Sequence, residues 1–116
     1  MQQSDPIIVR WENNTLTCSG FITFINANEF IDQFAQIDFP ENQDIHIDLY
    51  QLSIGDGLAL LVLGKSIASV GRHFKNILIT NPPGGLEIYL QENQKLNNIK
   101  FQDNSSALNE GFAEVM

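Results

Sequence analysis

The sequence predicts an α/β domain, a mixed β-sheet with about four helices packed on it. Two observations carry this. Stretches with a two-residue apolar alternation take turns along the chain with stretches whose apolar residues recur at helical spacing. The first two strands are joined by Asn13-Asn14, a hairpin signal, whereas the later strands are separated by helices and call for right-handed crossovers. Such an order implies a sheet of mixed direction. With 116 residues the chain has the length of one domain and can bury a core without disulfides. Residues 1–6 read as an N-terminal tail and 7–116 as the single domain.

The elements follow in order. Ile7, Val9 and Trp11 alternate with Ile8, Arg10 and Glu12, which is a strand period. Leu16 and Cys18 give the next strand its apolar face, Gly20 allows a bend, and Phe21 to Phe24 continues extended. Asn26-Ala27-Asn28-Glu29 has the form of a capping box, in which Asn26 accepts from the Glu29 amide and Glu29 reaches back. Ala27, Phe30, Ile31, Phe34 and Ile37 then fall at helical spacing, with Asp32, Gln33 and Gln36 on the outer side. Ile45 to Leu49 reads as a strand. Leu58 to Val70 reads as a helix so apolar that it must be buried along much of its surface, with Gly71 placed to end it. Asn76 to Thr80 is an apolar, central strand. Asn81-Pro82-Pro83-Gly84-Gly85 breaks the chain, one proline fitting the first turn of a helix over Leu86–Gln91. Ile99 to Gln102 is a short strand, and Ser105 or Ser106 fits as the cap of a last helix through Val115, with Leu108 and Phe112 on its apolar side.

Composition narrows the function classes. The net charge is -8, and residues 1–60 hold nine acids against the single base Arg10. Nucleic-acid binding needs clustered Lys and Arg, so the chain is not expected to bind it. No run approaches the roughly 20 apolar residues of a membrane span, and MQQSDP has no basic start or apolar core of a signal peptide. A cytoplasmic protein is expected. Cys18 is the only cysteine and reads as a small core residue. His46 and His73 are far apart, with no partner at metal-ligand spacing, so neither a metal nor a cofactor is expected. No Walker loop, Gly-x-Ser-x-Gly or Cys/His pair suggests catalysis, and the reading is of a non-enzyme.

Four stretches together resemble one family. Leu16-Thr17-Cys18-Ser19-Gly20-Phe21-Ile22-Thr23 with Asn26-Ala27 resembles the opening strand, glycine and first helix of STAS domains, the sulfate-transporter and anti-sigma-factor-antagonist domains. Ile47-Asp48-Leu49 with Gly57-Leu58-Ala59-Leu60-Leu61 resembles their central strand and glycine-led second helix. Ile79-Thr80-Asn81-Pro82-Pro83 is similar to their fourth strand and its exit, and Phe101 to Leu108 to their last strand and final helix start. The resemblance covers residues 7–115. It implies a four- to five-stranded sheet with the helices mostly on one face, and a bacterial protein-binding regulator of signal transduction and transcription. In the antagonist branch it implies a phosphorylatable Ser or Thr immediately before the glycine that opens the second helix.

Here that position is Asp56, and the segment from Asp48 to Gly57 is shorter than the family pattern. Two alignments stand: Asp56 replaces the hydroxyl, or Asp56 is an upstream aspartate and the hydroxyl residues are deleted. Asp56 also suits a helix cap. The expected partner contact is the loop from Leu52 through Ser53, Ile54, Gly55 and Asp56 to Gly57, the exposed N-terminal part of the second helix, and Lys65 and Ser69 farther along it, the two glycines letting a partner approach the backbone. Ser53 is the nearest hydroxyl and the weaker phosphorylation candidate. The partners this implies are an anti-sigma kinase, a signalling phosphatase or, in the accessory subunits of lipid-handling ABC transporters, an ATPase; a homodimer is compatible. A small-molecule sensor for a nucleotide or lipid is the alternative from another class.

Overall fold

In the computed structural model, residues 6–103 are described. They form β1 (Ile8–Glu12), β2 (Thr15–Ile22), α1 (Ala27–Ala35), β3 (Asp44–Ile54), α2 (Gly57–Gly71), β4 (Asn76–Thr80), α3 (Leu86–Ile88) and β5 (Ile99–Gln102), with a π-helical turn, Tyr89–Asn93, continuing α3. The helix expected from Ser105 or Ser106 to Val115 lies outside the described residues.

The five strands make one mixed sheet in the order β1-β2-β3-β4-β5. β1 and β2 are antiparallel; every later neighbour pair is parallel. Asn13 and Asn14 take φ of 54° and 57°, the two left-handed residues of a tight hairpin turn. Because β2 to β5 stand in chain order, right-handed connections put all three helices on one face. Burial agrees. Leu16, Cys18 and Ile22 of β2, Ile45, Ile47 and Leu49 of β3, and Ile77 and Ile79 of β4 are buried on the helix side. Thr15, Thr17 and Ser19 lie on the other, open face, in register with His46, Asp48 and Gln51. Ala59, Leu63, Ile67 and Ala68 of α2 and Phe30 and Phe34 of α1 close the core. Beyond it Phe39 packs against Trp11, Phe34 and Phe74, with ring centroids 4.9–5.6 Å apart, the spacing of favourable aromatic pairs.

Four details differ from expectation. β3 runs on to Ile54 and not only to Leu49. Thr17 pairs with Asp48 but Ser19 with Gln51, so β3 carries one extra residue there. This bulge moves the buried positions from Leu49 to Leu52 and lets the strand continue beside Phe21 and Ile22. Gln33 does not face outward: its amide accepts from the Val9 N–H at 2.8 Å and donates to the Ile7 carbonyl at 2.8 Å, standing in for a neighbouring strand along the edge of β1. Both prolines precede α3, whose entry is Gly85 at φ 90°. As expected, α2 ends at Gly71, where a side chain would press on Ile77 and Leu96, and Arg72 follows it, donating to the carbonyls of Ala68 and Gln94.

Candidate functional site

Asp56 stands at the junction where β3 gives way to α2. Its backbone is extended, at φ -159° and ψ 172°, as a helix N-cap requires. One carboxylate oxygen accepts from the Ala59 N–H at 2.9 Å inside α2. The other accepts from the Phe24 N–H at 2.9 Å, just beyond the end of β2. The amides of Phe24, then Ala59, and also Leu58 hold the carboxyl below its ordinary pKa, against a smaller opposing effect of desolvation. Asp56 is therefore a cap and a clamp joining two segments, and both its oxygens already have donors.

The other expected contact residues are not all in a loop. Ser53 and Ile54 belong to β3, paired with Phe21 and Ile22, so the connection to α2 shrinks to Gly55 and Asp56. Ser53 is exposed on the open face of the sheet and Ile54 is half-buried. Gly55 is exposed, but a Cβ there would lie 2.7 Å from both the Phe21 ring and the Thr23 methyl, so the position admits no side chain without a shift of these neighbours. Gly57 meets nothing within 4 Å and is open. Lys65 is exposed two turns along α2, at a spacing that puts it on the same side as Leu58 and Leu61.

The Thr23–Asn26 turn is built with the usual preference inverted. The expected capping box does not form. Asn26 Oδ1 accepts from the Thr23 N–H at 2.8 Å and Nδ2 donates to the Phe21 carbonyl at 2.9 Å, while Thr23 Oγ1 accepts from the Ile25 N–H at 3.2 Å. The Glu29 amide instead bonds the Asn26 backbone carbonyl. With the polar side chains spent on the turn's own backbone, the apolar ones point to solvent: Phe24 is 62% and Ile25 79% exposed. Across the Asp56 clamp, Leu58 is 59% and Leu61 39% exposed. Phe24 and Ile25 thus stand exposed at one side of the Asp56 clamp and Leu58 and Leu61 at the other, four large apolar side chains near the start of α2. Sequence reading included the exposed start of the second helix, where Leu58 and Leu61 lie, but missed Phe24 and Ile25. The signal was present in two adjacent apolar residues, Phe24-Ile25, where a turn ordinarily carries polar ones.

A polar network occupies the centre of the open face. Thr80 Oγ1 donates to Asp48 Oδ1 at 3.1 Å and lies 2.9 Å from His46 Nε2. A hydroxyl has one proton, so Thr80 accepts from Nε2–H and the His46 tautomer is set. The order differs from a catalytic triad, where imidazole stands between carboxylate and nucleophile. Here the hydroxyl is in the middle, buried, and gives its proton to the carboxylate. Cys18 behind it is fully buried, its thiol pushed up to about 12 by burial and then by the Asp48 charge. Among the described residues no group of three or more His, Cys, Asp or Glu is placed to hold a metal ion, and no helix is long and apolar enough to cross a membrane. A hollow of about 350 Å³ lies at the far edge of the sheet, bordered by Asp44, Asn76 and Asn98 and remote from Asp56.

No protein-family model matches the chain, and no curated protein matches it.

Proposed function

We propose that this chain is a non-enzymatic protein-binding domain that docks on its partner through the apolar surface around the start of α2. One observation carries the reading. The Thr23–Asn26 turn uses its polar side chains internally and holds Phe24 and Ile25 out, beside Leu58 and Leu61. Large apolar side chains exposed together, unlike those scattered singly, are a mark of an interaction surface. The STAS resemblance of residues 7–115 adds support, since it points to the same strand-to-helix junction. In that frame Asp56 holds a permanent negative charge where the antagonist branch carries its phosphorylated hydroxyl, and the domain docks without a phosphorylation switch.

The test is affinity capture from the lysate of the native organism with wild type, Leu58→Asp and Asp56→Lys. A protein captured by wild type and lost with Leu58→Asp supports docking at this surface. An anti-sigma kinase or phosphatase would place the domain among bacterial regulators; an ATPase would place it beside a lipid transporter. Capture that is indifferent to both substitutions would reject the docking surface.

A further inference from the structure

We infer that the Gln33 side chain guards the outer edge of β1, and that when it swings away a second copy of this chain pairs antiparallel with β1, Trp11 lying on the two-fold axis. This surface is separate from the one at the start of α2. β1 is the outermost strand of the sheet, with no strand beyond it among the described residues. Glu12 and Thr15 close the two-residue hairpin, so Ile8, Arg10 and Glu12 turn their backbone groups toward β2. Ile7, Val9 and Trp11 turn theirs outward. Gln33 satisfies two of these groups: it accepts from the Val9 N–H and donates to the Ile7 carbonyl, each at 2.8 Å. The Val9 carbonyl and both backbone groups of Trp11 are left to another strand. One side-chain amide thus takes the place of one residue of a neighbouring strand, and a strand that reaches Val9 must displace it.

The register shows why a second copy fits. An isologous contact repeats the same residues on both sides, and an antiparallel strand edge meets that condition. With Trp11 opposite Trp11 of the second copy, the two exchange N–H···O=C bonds, and Val9 falls opposite Asn13 of the second copy, where Gln33 had been. Arg10 then lies opposite Glu12 of the second copy, and Glu12 opposite its Arg10; both residues are exposed. Opposite charges and paired aromatics are favourable cross-strand neighbours. An axis through Arg10 or Glu12 would set like charges together, and an axis through Val9 would put Arg10 opposite Ile8. Trp11 is the residue of β1 about which both charge pairs form.

The experiment is sedimentation equilibrium of the full chain, with circular dichroism to confirm that each variant is folded. Gln33→Ala is expected to dimerise at least tenfold more tightly than wild type. In that background Arg10→Glu should loosen the dimer at least tenfold, by setting acid against Glu12 of the second copy on both sides of the axis. Adding Glu12→Arg to it should restore the dimer. Leu58→Asp in the Gln33→Ala background should leave the dimer unchanged, which separates the β1 edge from the apolar residues of α2. If Gln33→Ala does not fold, Gln33→Glu, which has no donor for the Ile7 carbonyl, takes its place and is read in the same way. A folded Gln33 variant no more dimeric than wild type would overturn the inference. So would association indifferent to Arg10→Glu, a charge swap that fails to restore the dimer, or a dimer lost with Leu58→Asp. Growth beyond a dimer would overturn it too, because two-fold pairing uses up both β1 edges.

Discussion

Replacing Leu58 by Asp should leave the fold intact and remove docking. Leu58 is the second residue of α2 and is 59% exposed. At about 25 cal/mol per Å² the covered two-fifths of it contributes roughly 1–2 kcal/mol. Aspartate in the first helical turn faces the positive end of the helix dipole and gains about 0.3–1 kcal/mol. The balance is a loss of about 1 kcal/mol, so Tm should fall by less than about 8 °C in a domain of this size. Leu63, five residues on, is the control. It is fully buried, and Leu63→Ala should cost about 2–5 kcal/mol through lost contacts and a cavity. That lowers Tm by roughly 10 °C or more. Thermal unfolding by circular dichroism reads both, and lysate capture reads the surface. If Leu58→Asp fell as far as Leu63→Ala, Leu58 would belong to the core and the patch argument would fail. If it folded normally and bound normally, the surface would not be where the partner sits.

Three further outcomes follow from the geometry. Asp56→Asn keeps an oxygen for the Ala59 amide but turns an NH₂ group or nothing toward the Phe24 N–H; the Phe24 amide should exchange with solvent faster, and the variant should be less stable at neutral pH. Because the folded Asp56 carboxyl is more acidic than usual, its contribution is present above about pH 4 and lost as pH falls through the folded pKa, so the gap between wild type and Asp56→Asn should close in that range. Gln33→Ala frees the Val9 N–H and Ile7 carbonyl, and should cost about 1–2 kcal/mol and promote concentration-dependent association by size-exclusion chromatography, since the β1 edge is opened. Cys18 should react with an aromatic disulfide at pH 8 only at the rate of unfolding, because it is fully buried and its thiol stays protonated; rapid modification of the native state would refute this burial.

The element order was legible because it is written in periodicity. Ile7, Val9 and Trp11 at period two, and Ala27, Phe30 and Phe34 at helical spacing, found the inner faces of β1 and α1. What could not be read lies in register and in side chains that bond across the chain. The bulge opposite Cys18 depends on how β2 and β3 align, and it converts an expected loop at Ser53 and Ile54 into strand. Gln33 has the look of a surface residue, and its role emerges only when α1 crosses β1. Gly55 and Gly57 are indistinguishable in sequence and both are exposed, yet a side chain would meet Phe21 and Thr23 at the first and nothing at the second. The cap at Asp56 was readable; the amide of Phe24, 32 residues earlier, was not.

That distant amide explains why an acid precedes so apolar a helix. A serine at position 56 has one side-chain oxygen to offer, and a helix cap would use it on the amide of Ala59. Two separated amides converge here, from the end of β2 and from the first turn of α2, and a carboxylate has an oxygen for each. The charge strengthens both bonds. A phosphorylated serine would also have oxygens enough for both amides, and would carry a larger charge. Aspartate thus gives each amide its own oxygen, whereas a serine hydroxyl would have to share one oxygen between two separated donors. What the connection positions is Phe24, and with it Ile25, across the clamp from Leu58. In the proposed docking, the part of Asp56 is to hold these apolar residues in place, since its own oxygens are already engaged.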